Sequence, residues 1–470
     1  MKSKQTPFYI LIIGIFITII SPFIFSEGMF MDGLLYAIVS KNLAEGHGSF
    51  WFLQLTETLH PDFFEHPPLA FGLQSIFFRI FGDSIFIERF YSIGTFFITG
   101  FIITRIWKRI TTTSYHQLAW LPLLFWVSIP LITWAAPNNM LENTMMIFTS
   151  LSVLFMLKSI DNHRIINLFL AGIMLFLGFL SKGLVAFFPL AFIFWLFVFR
   201  QNLSFKRFIF DSFIVVAGLI FPILLLYLLM PQGIESLSTY FSVQIMNSIN
   251  NVQTVGSRFF IIWKLVQELI PLFVIVMITL LSSRKIKTPK SDLKWVYIFL
   301  ALGLSGVIPI MISMKQSGFY ILATFAFFSL AIAYYMAPKV LGIYEILLSK
   351  KTVYRTFKYL SYSILVIGII MSVTQTNHIS RDQEIVEDAR AISNILPTNL
   401  MISAQPEIRP EWSMHGYLYR HSNISLETKT PYDRQYLLVK KGYQSEYLNN
   451  YKKVNIDLHL YDLYETMGIE

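Results

Sequence analysis

Cysteine is absent from the 470 residues. Neither disulfides nor thiolate metal sites are therefore available, and nothing about redox compartment follows. Charge is also scarce, at 14% of residues, against 55% apolar residues and a mean hydropathy of +0.57. That balance excludes a soluble globular protein with polar faces and points to an integral membrane protein. No small-residue cleavage site follows the first apolar run, residues 8–26, and many further runs do, so it reads as a retained span and not a removed signal. No internal repeat or low-complexity linker stands out, which weighs lightly against the inverted-repeat transporter folds.

What the chain does have is a succession of apolar runs. Each is about 18 to 22 residues long, matching a bilayer core at 1.5 Å per helical residue, and none shows the period-two alternation of a lipid-facing barrel. The spans are expected to be helices. They read as residues 8–26, 86–106, 118–134, 139–157, 165–180, 184–199, 208–230, 259–281, 294–312, 318–336 and 357–373, about eleven in all.

The net charge of +9 looks like a nucleic-acid signal until it is mapped. With Lys2 and Lys4 placed in the cytoplasm, about 20 of the 37 Lys and Arg residues fall in loops on that side, as the positive-inside rule requires. The opposite loops carry only Lys41, Arg79, Lys182, Arg258 and Lys315 before the last span. An odd number of spans then leaves the C-terminus on the outer face.

The stretch that organises the chain is residues 31–74, just past the first span. It gathers Asp32, Glu65, His66 and the step Pro67-Pro68 between apolar segments. A loop so long and chemically mixed is rarely a mere connector. Met31–Glu45 reads as an amphipathic helix lying in the membrane interface, ended by Gly46 and Gly48; Pro67 and Pro68 suit the first turn of a second short helix. From about residue 375 hydropathy collapses. A domain of roughly 95 residues follows, with 10 basic and 13 acidic side chains. Residues 383–396 read as a helix and 400–403, 435–439 and 454–464 as strands. The expected architecture is a polytopic α-helical protein, residues 1–374 with an extracytoplasmic catalytic loop at 27–85, followed by a small extracytoplasmic α/β domain at 375–470.

Ionisable groups at the ends of spans are costly to place and point to function. Asp32, at a helix start, has helix capping as its plain alternative. Glu65-His66 has a solvated turn. Glu142 and Lys182 sit at matching depth and are expected to pair, for structural or functional reasons. Lys315 lies at the outer surface, where a snorkelling lysine is the plain alternative. Lys264 and Glu268, four residues apart in a span, read as a structural pair.

The order of these motifs resembles the GT-C superfamily of membrane glycosyltransferases, in the branch of the lipid A aminoarabinose transferases and protein O-mannosyltransferases. Asp32-Gly33-Leu34-Leu35-Tyr36-Ala37 matches a D-x-x-x-Y-A segment, and Glu65-His66-Pro67-Pro68 an acid-basic-Pro-Pro step. Phe81-Gly82, Glu142, Ser181-Lys182-Gly183 and, loosely, Lys315 to Leu322 follow in the family's order. Gly33, His66 and Glu142 depart from the commoner residues, which bears on the sugar and acceptor more than on the reaction class.

The resemblance implies inverting transfer of a sugar from a polyprenyl-phosphate donor to an envelope acceptor, a glycolipid of the lipid A type, a glycan or a protein. The reaction would take place on the outer face of the cytoplasmic membrane. Asp32 is then the candidate base, with Glu65 as its catalytic companion orienting the acceptor. Lys182, Lys315, Glu142 and Tyr36 form the candidate donor-phosphate set. Glu65 with His66 is a candidate site for a divalent metal ion. An apolar cavity would take the polyprenyl tail, with Trp51 and Phe52 at its entrance. Two other classes remain open: a transporter or flippase of lipid-linked sugars, and a non-catalytic scaffold.

Overall fold

The computed structural model describes residues 2–200, 203–246, 253–286, 288 and 292–467; Lys287 and Lys290, counted above among the cytoplasmic charges, lie outside the described residues. The chain is mostly helical, with one small sheet near its C-terminal end. It packs as two compact units. One comprises Met1–Ile24, Phe64–Ala70 and Arg89–Thr374; the other comprises Phe25–Phe63, Phe71–Glu88 and Gln375–Glu470. This differs from the division at residue 374 expected from hydropathy. Most of residues 27–85 pack with the C-terminal domain, through contacts between residues far apart in sequence.

Among the described residues eight helices are long and apolar enough to cross a membrane, including Lys4–Ile24, Arg164–Lys182, Phe205–Leu229 and Lys351–Val373. The other three expected spans are realised differently. Residues 118–134 break into Leu121–Val127 and Pro130–Ala135, each with proline in its first turn, where the missing N–H is no loss. Residues 139–157 become Leu141–Lys158, whose first turn holds Glu142. Residues 184–199 become a 3-10 turn, Leu184–Leu190, running into Ala191–Arg200.

The helices of the first unit approach closely where glycine permits it. A Cβ on Gly172 would strike the Val215 carbonyl oxygen, and one on Gly218 the Phe169 carbonyl oxygen, so Arg164–Lys182 and Phe205–Leu229 cross backbone to backbone. Small residues serve this purpose in membranes, where no hydrophobic force drives helices together. Gly14 and Gly368 do the same between Lys2–Ile24 and Lys351–Val373.

In the second unit five strands lie in the order β2-β1-β3-β5-β4. These are β1 Met401–Ala404, β2 Ser425–Glu427, β3 Tyr436–Lys440, β4 Tyr451–Lys453 and β5 Tyr461–Thr466. β1 pairs in parallel with β2 and β3, and β5 antiparallel with β3 and β4. The expected strand at 454–464 is thus ordered only in its final part, as β5. Met31–Glu45 has the expected bounds, ended by Gly46 at φ +89°, whose N–H donates to the Asn42 carbonyl. Its surroundings are not as expected. Every residue from Gly33 to Leu43 is buried, so it is a core helix of this unit and not an amphipathic helix with a wet face. Its cover is the helix Trp412–Ser422, where Gly416 leaves room for Leu34 and Leu35.

Candidate active site

In the first unit the site begins at two helix ends. Lys182 is the last residue of Arg164–Lys182, and Glu142 is the second residue of Leu141–Lys158. A cation at a helix C-terminus and a carboxylate at an N-terminus each complement the helix dipole. The two side chains form the expected ion pair at 3.1 Å, with 5% and 0% of their surfaces exposed. The turn after Lys182 is built for glycine: Gly183 has φ +104°, and the Tyr240 hydroxyl fills the place of a Cβ. The Lys182 ammonium also lies 5.7 Å from the Phe319 ring centroid, and Phe319 stacks on Trp134.

Lys315 sits on a loop closed by its neighbour. The buried Gln316 side chain accepts from the Ile261 N–H at 3.1 Å and donates to the Arg258 and Ser313 carbonyls, while its backbone N–H donates to the Thr254 hydroxyl. The backbone around Lys315 is therefore held on several sides. His66 connects this loop with the ion pair. Burial first, then Lys182, then Lys315 push its imidazole well below the usual histidine range, because each disfavours a second positive charge. At neutral pH the ring is uncharged and faces two cations. Glu65 beside it is half-buried.

Such a field suits an anion. As a metal site Glu65 and His66 do not fit: among the described residues no group of three or more His, Asp or Glu side chains gathers to hold an ion. The nearby Lys182 and Lys315 would also repel a divalent cation.

Asp32 and Tyr36 belong to the second unit. Phe30 is the N-cap of Met31–Glu45, so Asp32 lies inside the first turn, half-buried, and does not cap the helix. Tyr36 is 5% exposed and meets Phe71 edge-on at 5.8 Å. The candidate residues thus divide: Glu65, His66, Glu142, Lys182 and Lys315 in one unit, Asp32 and Tyr36 in the other.

Residues 65–227 match the family model described as dolichyl-phosphate-mannose-protein mannosyltransferase. Among solved structures, ArnT from Cupriavidus metallidurans bound to undecaprenyl phosphate superposes with a TM-score of 0.67. The match covers 97% of each chain at 13% identity. The chain shares the fold of this ArnT. The apo form of the same ArnT matches with a TM-score of 0.64 over 95% of each chain, again at 13% identity. A comparison with curated protein sequences finds no match. The family match opens at Glu65 and spans Glu142 and Lys182, three of the residues that motif order singled out.

Two further features of the chain bear on the sequence reading. An apolar cavity of about 330 Å³ opens among the helices of the first unit, lined by Tyr9, Phe16, Phe96, Phe101 and Trp126 among others. Trp51 and Phe52, expected at the mouth of such a cavity, do not line it; Trp51 is buried in the second unit against Phe50. The second feature is a buried ion network that sequence reasoning missed. Arg420, 3% exposed, pairs with Glu88 at 3.2 Å and with Asp83, which also accepts Lys41 at 2.9 Å. The surrounding carboxylates outweigh burial and hold the Arg420 guanidinium above its ordinary value. Its components lie hundreds of positions apart, and no local pattern announces them.

Proposed function

We propose that this chain is an inverting glycosyltransferase that moves a sugar from a polyprenyl-phosphate donor to an envelope acceptor on the outer face of the cytoplasmic membrane. The observation that carries the reading is that a buried Lys182, paired with Glu142, and a half-buried Lys315 both act on the His66 imidazole and push it toward its neutral form. Cations kept dry and fixed in place stabilise a departing phosphate far better than cations in water. The undecaprenyl phosphate bound in the ArnT structure of the same fold is a ligand of the expected kind.

In this mechanism the Asp32 carboxylate takes the proton of an acceptor hydroxyl as its oxygen attacks the anomeric carbon. The bond from that carbon to the phosphate oxygen breaks, its electron pair stays on the phosphate, and Lys182 and Lys315 offset the added charge. Attack opposite the leaving group inverts the anomeric centre. Glu65 orients the acceptor, and Tyr36 supports the donor side. The apolar cavity of the first unit is the place for an isoprenoid tail.

The test is transfer by purified protein in lipid nanodiscs. The donors are polyprenyl-phosphate sugars and the acceptors are extracted envelope fractions, read by mass spectrometry as one added glycosyl unit. Asp32→Asn should keep folding and donor binding and abolish transfer. Wild-type turnover by that variant removes Asp32 from the base role. Movement of lipid-linked sugar across the bilayer without a glycosylated product would establish the flippase class instead.

A further inference from the structure

The C-terminal domain holds the segment that enters the Met31–Glu45 helix, and it does so at backbone level. Glu27 forms a short parallel bridge with Ile379: its N–H donates to the His378 carbonyl at 2.8 Å, and its carbonyl accepts from the Ser380 N–H at 2.7 Å. The Ser380 hydroxyl donates to the same carbonyl at 2.9 Å. Gly28, at φ +90°, lies so close to the Arg381 backbone that a Cβ would overlap the Arg381 carbonyl. The Met29 N–H donates to the buried Tyr417 hydroxyl at 3.0 Å, and that hydroxyl lies 3.4 Å from Asp382. The Glu27 carboxylate is paired with Arg390 and lies 2.8 Å from the His421 imidazole. Leu34 and Leu35, on the next turn of the helix, pack against Gly416.

Three consecutive residues are thus fixed by partners from residues 378–421, and Asp32 follows three positions after the last of them. A surface loop that only connected a span to a helix would have no need of this. From it we infer that the C-terminal domain, through Tyr417 above all, sets the position of the Asp32 carboxylate; Tyr417 is a positioning residue of the transfer reaction. The inference rests on the proposed role of Asp32. Misplacing a reacting group by about 1 Å costs about a hundredfold in rate, so the effect is expected in turnover and not in donor affinity.

Tyr417→Phe removes the hydroxyl that accepts the Met29 N–H and keeps the ring. In full-length protein in nanodiscs, the variant should lower kcat by about tenfold or more, with donor KM within about twofold of wild type and an unchanged thermal midpoint. Hydrogen exchange should accelerate in a peptide covering residues 27–34 and nowhere else. Wild-type kcat in Tyr417→Phe, a donor KM that rises as much as kcat falls, or exchange that rises evenly over the chain would each overturn the inference. Should Tyr417→Phe fold poorly, Ser380→Ala removes one of the two donors to the Glu27 carbonyl and is judged by the same readouts. Absence of any transfer by the wild-type protein would count against the transferase reading itself, a separate result.

Discussion

Removing Lys182 alone confounds two effects, so the informative perturbation is a double-mutant cycle on Lys182 and Glu142. Both side chains are almost wholly enclosed at 3.1 Å. Breaking such a pair by removing one partner leaves a buried charge and costs about 3 to 5 kcal/mol of stability, whereas replacing both by apolar groups is close to neutral. Lys182→Met should therefore lower the thermal midpoint markedly, and Lys182→Met with Glu142→Met should recover most of it. Donor binding should behave differently. A charge-assisted hydrogen bond from an ammonium to a phosphate contributes about 1.5 to 3 kcal/mol, equivalent to about a tenfold to hundredfold change in affinity. If Lys182 contacts the donor phosphate, the double variant stays weak in binding although it is stable again.

The assay pairs thermal unfolding of the detergent-solubilised protein with native mass spectrometry against undecaprenyl phosphate, run on wild type, both single variants and the double variant. Binding that returns together with stability would refute the reasoning. The pair would then be structural, and the anion site would rest on Lys315 alone. A double variant as unstable as Lys182→Met would refute the other half, by showing that the cost does not come from the uncompensated Glu142 charge.

Other outcomes follow from the same physics. Glu268 pairs with Lys264 at 2.7 Å and accepts the Leu131 N–H at 2.7 Å. Glu268→Ala should therefore cost about 1 to 3 kcal/mol in unfolding while leaving affinity for undecaprenyl phosphate unchanged. Gly218→Leu places side-chain atoms against the Phe169 carbonyl and should destabilise the protein by about 2 kcal/mol or more, seen as a lower thermal midpoint. His415 and His421 are both lowered to about 4, chiefly by burial. The unfolded chain takes up their protons first as pH falls, so their contribution is complete above about pH 6.5 and declines from there toward pH 4. His415→Gln should flatten that part of the stability profile by up to about 1.4 kcal/mol per pH unit, measured by unfolding at a series of pH values; an unchanged slope would mean the ring is not kept neutral.

How much of this was legible in the chain depends on how far each residue's partners lie. The Glu142–Lys182 pair could be read because both charges interrupt apolar runs at matching depth, and a charge in that position needs a partner. The end of Met31–Glu45 could be read from Gly46, since a left-handed residue closes a helix by itself. Its burial could not, because the covering element Trp412–Ser422 has the sequence WSMHGYLYRHS, which offers no apolar stripe and contains glycine. Arg420 and its carboxylates were out of reach for the same reason: the guanidinium finds Asp83 and Glu88 only after the chain has returned to them. The broken span at 118–134 shows the limit of hydropathy, which counts apolar residues and is blind to a proline at position 130 that starts a new helix.

Buried charges are matched by opposite ones in both units, as with Lys264 and Glu268 in the first. In the second unit Arg420 and Lys41 are matched by Asp83, Glu88 and Glu45 within a closed network, as expected when charges are buried for position and not for chemistry. Around His66 the balance is different. Both named charges acting on the imidazole are cations, and both push it toward its neutral form. A negatively charged ligand placed beside them would be attracted by both cations. The phosphate of a lipid-linked sugar is such a ligand, and it binds most tightly when the glycosidic bond has broken and its charge is largest.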